Sequence, residues 1–187
     1  MASAIGTDRQ TVGMSVAIYG LRDVQRAMRQ FAPDLKKEMD KQIRAALQPV
    51  RSRAQASVPG TVMSGWKNWQ GERLAWDPRK VKSGIRIAQG GRGRAGTGVK
   101  VAWKLTNVSA VGSIVEVAGR KNAGGNSDKG RQFIANLNRF AQPSRLIWAA
   151  WDDLGGDEQV TPKVTEAIEA ATAEFNRRMA AASDETL

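Results

Sequence analysis

An α+β fold is predicted by three features of the sequence. An apolar stripe at helical spacing runs from Leu21 to Ala54, short alternating segments bounded by glycine recur near residues 16, 87, 101 and 115, and a second helical stripe occupies residues 164–179. The expected architecture is a long, kinked amphipathic N-terminal helix packed on a small antiparallel sheet, with two C-terminal helices. At 187 residues the chain fits a single domain, since domains average roughly 100–200 residues.

The first strand is Met14-Ser-Val-Ala-Ile-Tyr-Gly20, where Val16 and Ile18 alternate with small residues, and Met1–Gly13 before it reads as a flexible arm. Leu21, Val24, Met28, Phe31, Leu35, Met39, Ile43, Leu47, Val50 and Ala54 follow at steps of three or four, which puts them on one helical stripe. Arg22, Arg26, Arg29, Lys36, Lys37, Lys41 and Arg44 take the opposite face. Pro33 disfavours helix at Ala32, so a short helix Leu21–Phe31 and a longer one from about Pro33 to Ser57 are expected, the latter kinked at Pro49. From the helical rise the second is roughly 36 Å long, a length suited to lying across a sheet.

Residues 60–80 hold Trp66, Trp69 and Trp76 among Gly, Asn, Pro and charged residues without either period, which predicts a long loop. The tryptophans have two readings: docking onto a partner, or closing over the chain's own core. Val81–Ala88 with Ile85-Arg-Ile87, Val99–Leu105, and Ser113–Ala118 with Ile114-Val-Glu-Val117 alternate like strands. Together they predict an antiparallel meander, with the strand near Val16 as an edge. Gly119–Gly130, rich in Gly, Asn, Ser and Lys, reads as a second long loop. Pro143–Leu154 reads as a helix stopped by Gly155-Gly156. Thr161 as cap and Pro162 then start a helix through Ala181, with Val164, Ile168, Ala171, Phe175 and Met179 as its stripe. Residues 182–187 form a tail.

The chain has no cysteine and no histidine. That removes disulfides, thiolate and imidazole zinc sites, and the Ser-His and Cys-His nucleophile pairs. A non-catalytic protein without metal or cofactor is expected. No stretch approaches the ~20 apolar residues of a membrane span, and the opening residues lack the pattern of a leader, so a chain made and kept in the cytosol, or in something assembled there, is expected. The net charge of +11 is unevenly laid out. Residues 1–59 carry ten Lys/Arg against five Asp/Glu, residues 60–145 sixteen against four, and residues 146–187 three against nine. A basic middle and an acidic end suit nucleic acid, acidic partners, or each other's surfaces in an oligomer.

Gly91-Arg-Gly-Arg-Ala-Gly96 matches the GxGxxG string, but a dinucleotide site needs a helix after it and the next segment reads as a strand. A hairpin loop with cationic tips is the better account. Arg92 and Arg94 with Lys80, Lys82, Arg86 and Lys100 form a possible phosphate-binding footprint on which Trp66, Trp69 or Trp76 could stack bases. A basic face meeting acidic proteins fits the same residues. Asp152, Asp153, Asp157 and Glu158 cluster beside Gly155-Gly156. They lack the alternating spacing of a calcium loop, so a solvated helix end or a subunit interface is expected rather than metal-dependent hydrolysis at Asp152 or Asp153.

The order of elements resembles the neck or tail-completion (head–tail joining) proteins of long-tailed bacteriophages. Ile18-Tyr-Gly-Leu-Arg-Asp-Val24 and the long helix ending near Val58-Pro59 resemble the family's opening strand, Gly-Leu step and helix. Val115-Glu-Val-Ala-Gly119 looks like its strand ending in Val-Glu-x-Gly, and Gln142-Pro-Ser-Arg-Leu-Ile-Trp-Ala-Ala150 like its proline-led helix. The likeness covers roughly residues 14–181; the Trp-rich loop and the Gly/Asn loop are longer than the family's. The resemblance implies a virion protein assembled in the host cytoplasm. It would form a hexameric or dodecameric ring that joins the portal side to the tail tube, with a DNA channel, no catalytic residues and no membrane. A tail terminator or another connector ring is the nearest alternative, and a basic cytosolic nucleic-acid-binding protein the next. In a ring, basic segments face acidic ones, and the candidate interface residues are Trp66, Trp69, Trp76, Arg92, Arg94, Arg120, Lys121, Asp152, Asp153, Asp157 and Glu158.

Charge reversal at Arg92 and Arg94 is expected to weaken assembly and flatten its salt dependence in light scattering; unchanged assembly removes that loop from the contact.

Overall fold

The computed structural model describes residues 5–7, 13–18, 21–63, 66, 74–89, 103–120 and 127–184. Strands β1 (Ile5–Thr7) and β2 (Gly13–Ile18) open it, followed by helices α1 (Leu21–Phe31), α2 (Pro33–Ala56) and α3 (Pro78–Gly84). Strands β3 (Ile85–Gln89) and β4 (Trp103–Asn107) come next, then α4 (Ala110–Val117), α5 (Asp128–Phe140) and α6 (Ile147–Asp153). A π-helical turn (Gly156–Val160) leads into α7 (Thr161–Asp184). The α+β expectation holds: a small, wholly antiparallel sheet is combined with helices.

Helix α2 is the axis of the fold. Met39, Ile43, Leu47, Val50 and Ala54 are buried along it, and it packs on α1, α6, α7 and β3. A proline inside a helix costs about 3 kcal/mol, whereas each fully buried Met, Ile, Leu or Val contributes about 1.5–3 kcal/mol. Four such residues outweigh Pro49, so α2 continues through it, with Pro49 and Ala45 on the exposed face. The junction before it corrects the ten-residue stripe. Ala32 leaves helical geometry at φ −147°, and this resets the rotation: Ala32 is buried while Phe31 is 61% exposed.

The strand order is β1-β2-β4-β3, all neighbours antiparallel. The strand near Val16 is therefore internal, not an edge, because Ile5–Thr7 of the expected arm pairs with Val16–Ile18. Trp103, Leu105 and Asn107 alternate into the core along β4, and the Arg44 guanidinium lies 4.9 Å from the Trp103 ring centre. Val81–Gly84 belong to α3 rather than to a strand. Asp77 caps that helix by accepting the N–H groups of Arg79 and Lys80, and Pro78 occupies its first turn.

The expected strand Ser113–Ala118 is helix α4. Its alternation also fits a helical period, since Val111, Val115 and Ala118 are buried at steps of four and three. Local capping decides between the two: the Asn107 side chain accepts the Ser109 N–H at 2.9 Å, and Ser109 accepts that of Gly112 at 3.3 Å. The expected loop to Gly130 likewise ends early, since Ser127 caps α5.

Two contacts show the direction of α7. Arg178 donates to Asp34 at the start of α2, and Arg53 near its end donates to Asp153 just before the π-helical turn, so α7 runs antiparallel to α2. Thr161 does not cap α7; its backbone is already helical (φ −56°, ψ −47°) because the π-helical turn feeds straight into the helix. The first residue of that turn, Gly156, lies against the Trp151 indole, where any Cβ would overlap the ring. No helix among the described residues is long and apolar enough to cross a membrane.

Gly156→Ala is expected to destabilise the fold by about 1–3 kcal/mol in urea denaturation, the usual cost of overpacking.

Candidate functional site

A carboxylate in the apolar run Ile114-Val-Glu-Val117 organises the most connected polar site of the described chain. Glu116 is fully buried on α4. Its Oε2 accepts the backbone N–H groups of Leu146 at 2.8 Å and Ile147 at 3.1 Å, and its Oε1 that of Trp148 at 3.3 Å. Helix α6 has no side-chain cap of its own. Its first N–H groups, which no helix can satisfy internally, are thus capped by a residue some thirty positions earlier in the chain.

Arg145, 4% exposed, completes the arrangement. It donates to the carbonyls of Val115 (2.7 Å), Ala118 (2.9 Å) and Ala141 (2.7 Å), and to Asn138 Oδ1 at 2.6 Å. The carbonyls at the end of α4 and α5 are thereby held by one guanidinium. Ser144 adopts a left-handed conformation (φ 77°) and donates its N–H to the Glu116 carbonyl at 2.8 Å, aiming Arg145 and the start of α6 at α4. Gly119, at φ 88°, turns the chain out of α4, with its missing Cβ facing Ile134 and Pro143. Burial pushes the Glu116 carboxyl above its ordinary range, while the three N–H groups and Arg120, 3.3 Å away, pull it back. Burial lowers Arg145, and the Glu116 charge opposes that shift.

Glu116 and Arg145 were not among the residues singled out from the sequence. A lone charge inside an apolar run was the available signal, because such a charge must be hydrogen-bonded if the run is buried. Of the residues that were singled out, Arg120 belongs to this site as the ion-pair partner of Glu116. Trp66 and Trp76 are core residues, 3% and 6% exposed, not a docking face. Their ring centres lie 5.6 Å apart, Trp66 stands edge-on to Phe133, and their indole N–H groups donate to Leu74 and Gly60 carbonyls. The two rings thus close the loop over the core, each polar handle satisfied within the loop itself. Trp69, Arg92, Arg94 and Lys121 lie outside the described residues.

The acidic residues sit together at the exposed end of α6 and on the π-helical turn: Asp152, Asp153, Asp157 and Glu158. Asp153 is engaged by Arg53 at 2.7 and 3.0 Å. Among the described residues no three acidic side chains converge on a common point that could hold a metal ion. No family model, curated protein or solved structure matches the chain.

Glu116→Ala strands the start of α6 and removes the counter-charge of Arg120 and Arg145; a loss of about 3–5 kcal/mol is expected in urea denaturation. The pH dependence has a definite sign. The folded chain holds the Glu116 proton more tightly than the unfolded chain. Its contribution therefore favours folding below the ordinary carboxylate value and is lost as pH rises through the raised folded value. Wild type should lose stability relative to an E116Q variant from mildly acidic to neutral pH; a constant difference across that window overturns this account.

Proposed function

We propose that this chain is a structural virion protein of a long-tailed bacteriophage. In this reading it forms a ring in the neck that joins the portal side to the tail and leaves a channel for DNA. One observation carries the proposal. Two segments that resemble the neck proteins, Val115–Gly119 and Gln142–Ala150, interlock at a single buried site through Glu116, Ser144 and Arg145, the first as the end of helix α4 rather than the strand that the resemblance implies. Residues that would otherwise be two unrelated short matches act as one structural unit, which supports reading them as one motif. The long helix after the Gly-Leu step, lying along the sheet and the final helix, is in keeping with the same reading.

In this role the chain binds copies of itself and neighbouring connector proteins, and DNA passes without sequence-specific contact. Its place is the virion, and it needs no catalytic group. The position within the connector, neck or tail terminator, belongs to the same proposal. A second reading, a basic nucleic-acid-binding protein, is favoured by one feature: Arg79, Lys80, Lys82 and Arg86 are all exposed on α3 and β3.

Electron microscopy of the purified full chain separates the two. Rings with a central opening and no DNA affinity at moderate salt are expected. A monomer by light scattering that binds duplex DNA with a steep salt dependence would falsify the ring proposal.

A further inference from the structure

Helix α2 carries oppositely charged surfaces on its two flanks. Arg51 donates to the Ile85 carbonyl and Gln55 to the Lys82 carbonyl, so α3 and the start of β3 lie on the flank those residues share. Arg53 stands about 200° around the helix from Gln55 and reaches Asp153 on the other flank, with the buried Ala54 between them. On the first flank Arg79, Lys80, Lys82 and Arg86 are exposed and Lys104 is half-exposed, facing Asp77 as the only acidic residue of α3, β3, β4 and the Asp77 cap. On the outward side of β3 and β4 Arg86 is exposed, and Ala88, Lys104 and Thr106 are half-buried. Lys80 and Arg86 both line a cleft of about 300 Å³ between α3 and the start of α4. On the second flank Asp152, Asp153, Asp157, Glu158, Glu166 and Glu169 are exposed, and Lys163 is the one cation between residues 146 and 176.

We propose that the cationic α3–β3–β4 surface of one copy docks head-to-tail on the anionic flank of a second copy, around Asp157 and Glu158. The inference rests on the ring reading and names the contact within it. Charge and placement together decide the geometry. A two-fold contact through one surface alone would oppose like charges, and a reciprocal one would need both surfaces on one face; lying on opposite flanks of α2, they pair head-to-tail and leave one surface of each sign free at the two ends of a dimer. Such contacts repeat until they close. Nucleic acid competes for the cationic surface only, so the anionic flank distinguishes the two occupants.

The test uses the full chain in sedimentation velocity across a salt series, with three variants: K80E/R86E, D157K/E158K and the combination of both pairs. All four positions are exposed and none belongs to the Glu116 site. Wild-type self-association should weaken as salt rises, and each pair alone should weaken it about tenfold or more, in the range seen for close interfacial charges. The combined variant, and an equimolar mixture of the two single-pair variants, should regain association, which a misfolded chain would not do. A neutral K80Q/R86Q pair should show a smaller loss of the same sign. Wild-type-like association of both single-pair variants overturns the contact while leaving a ring intact; restored association into open filaments keeps the contact and removes the ring. A wild type that stays monomeric at low salt, or an acidic-flank reversal without effect beside K80E/R86E loss of duplex DNA binding, also overturns it.

Discussion

The carboxylate of Glu116 at the start of α6 is the constraint on which the C-terminal half of the molecule depends. Helix α6 is only seven residues long, and Leu146 at its cap position offers no capping side chain, so isolated it would not persist. With Glu116 beneath it, three orphan N–H groups find an anion, and Ile147, Trp148, Ala150 and Trp151 can be buried. Trp151 in turn admits only Gly156 against its ring, and the π-helical turn that follows sets where α7 begins. One buried charge thus propagates through packing to the direction of the longest C-terminal element.

Burying a carboxylate is expensive, and a well-packed apolar core of the same shape often matches or exceeds it in stability. What an apolar side chain cannot do is select one partner. Glu116 requires three convergent N–H groups, and Arg145 requires four convergent oxygens. A slip of either segment by one residue leaves buried polar groups unsatisfied, each costing about 1–3 kcal/mol. The pair therefore acts on register. The exposed ion pairs Arg178–Asp34 and Arg53–Asp153 serve the same end at the two ends of α2, although solvent screens them and their energetic share is small.

The sequence made some of this legible and hid the rest for physical reasons. Helices α1, α2 and α7 were readable because each carries an apolar stripe long enough to exclude the alternative period. The break between α1 and α2 followed from Pro33, but the inversion of Phe31 and Ala32 did not, since it depends on a single non-helical residue. Helix α4 was misread because a short segment with Val111, Val115 and Ala118 in the core fits both periods. Only its capping by Asn107 and Ser109 discriminates. Helix α5 has one fully buried residue, Leu137, and so little pattern to find. The Glu116 site joins segments some thirty residues apart, and no local window contains both halves. The charge segregation was visible as blocks, whereas its placement on opposite flanks of α2 needed the contacts of Arg53 and Gln55.

That placement gives the Glu116 site a consequence beyond stability. The acidic residues at 152–158 ride on the end of α6 and the turn after it, elements positioned from the other end of α6 by Glu116 and Arg145. The basic residues ride on α3 and β3, positioned by Arg51 and Gln55 of α2. If the two surfaces meet between copies, the angle from one subunit to the next is set by how rigidly each is held to α2. A ring closes only when that angle is the same at every contact, and a small angular error accumulates around the circle. A site that contributes specificity rather than net stability is what such a requirement favours, because closure depends on the uniqueness of the native arrangement more than on its depth.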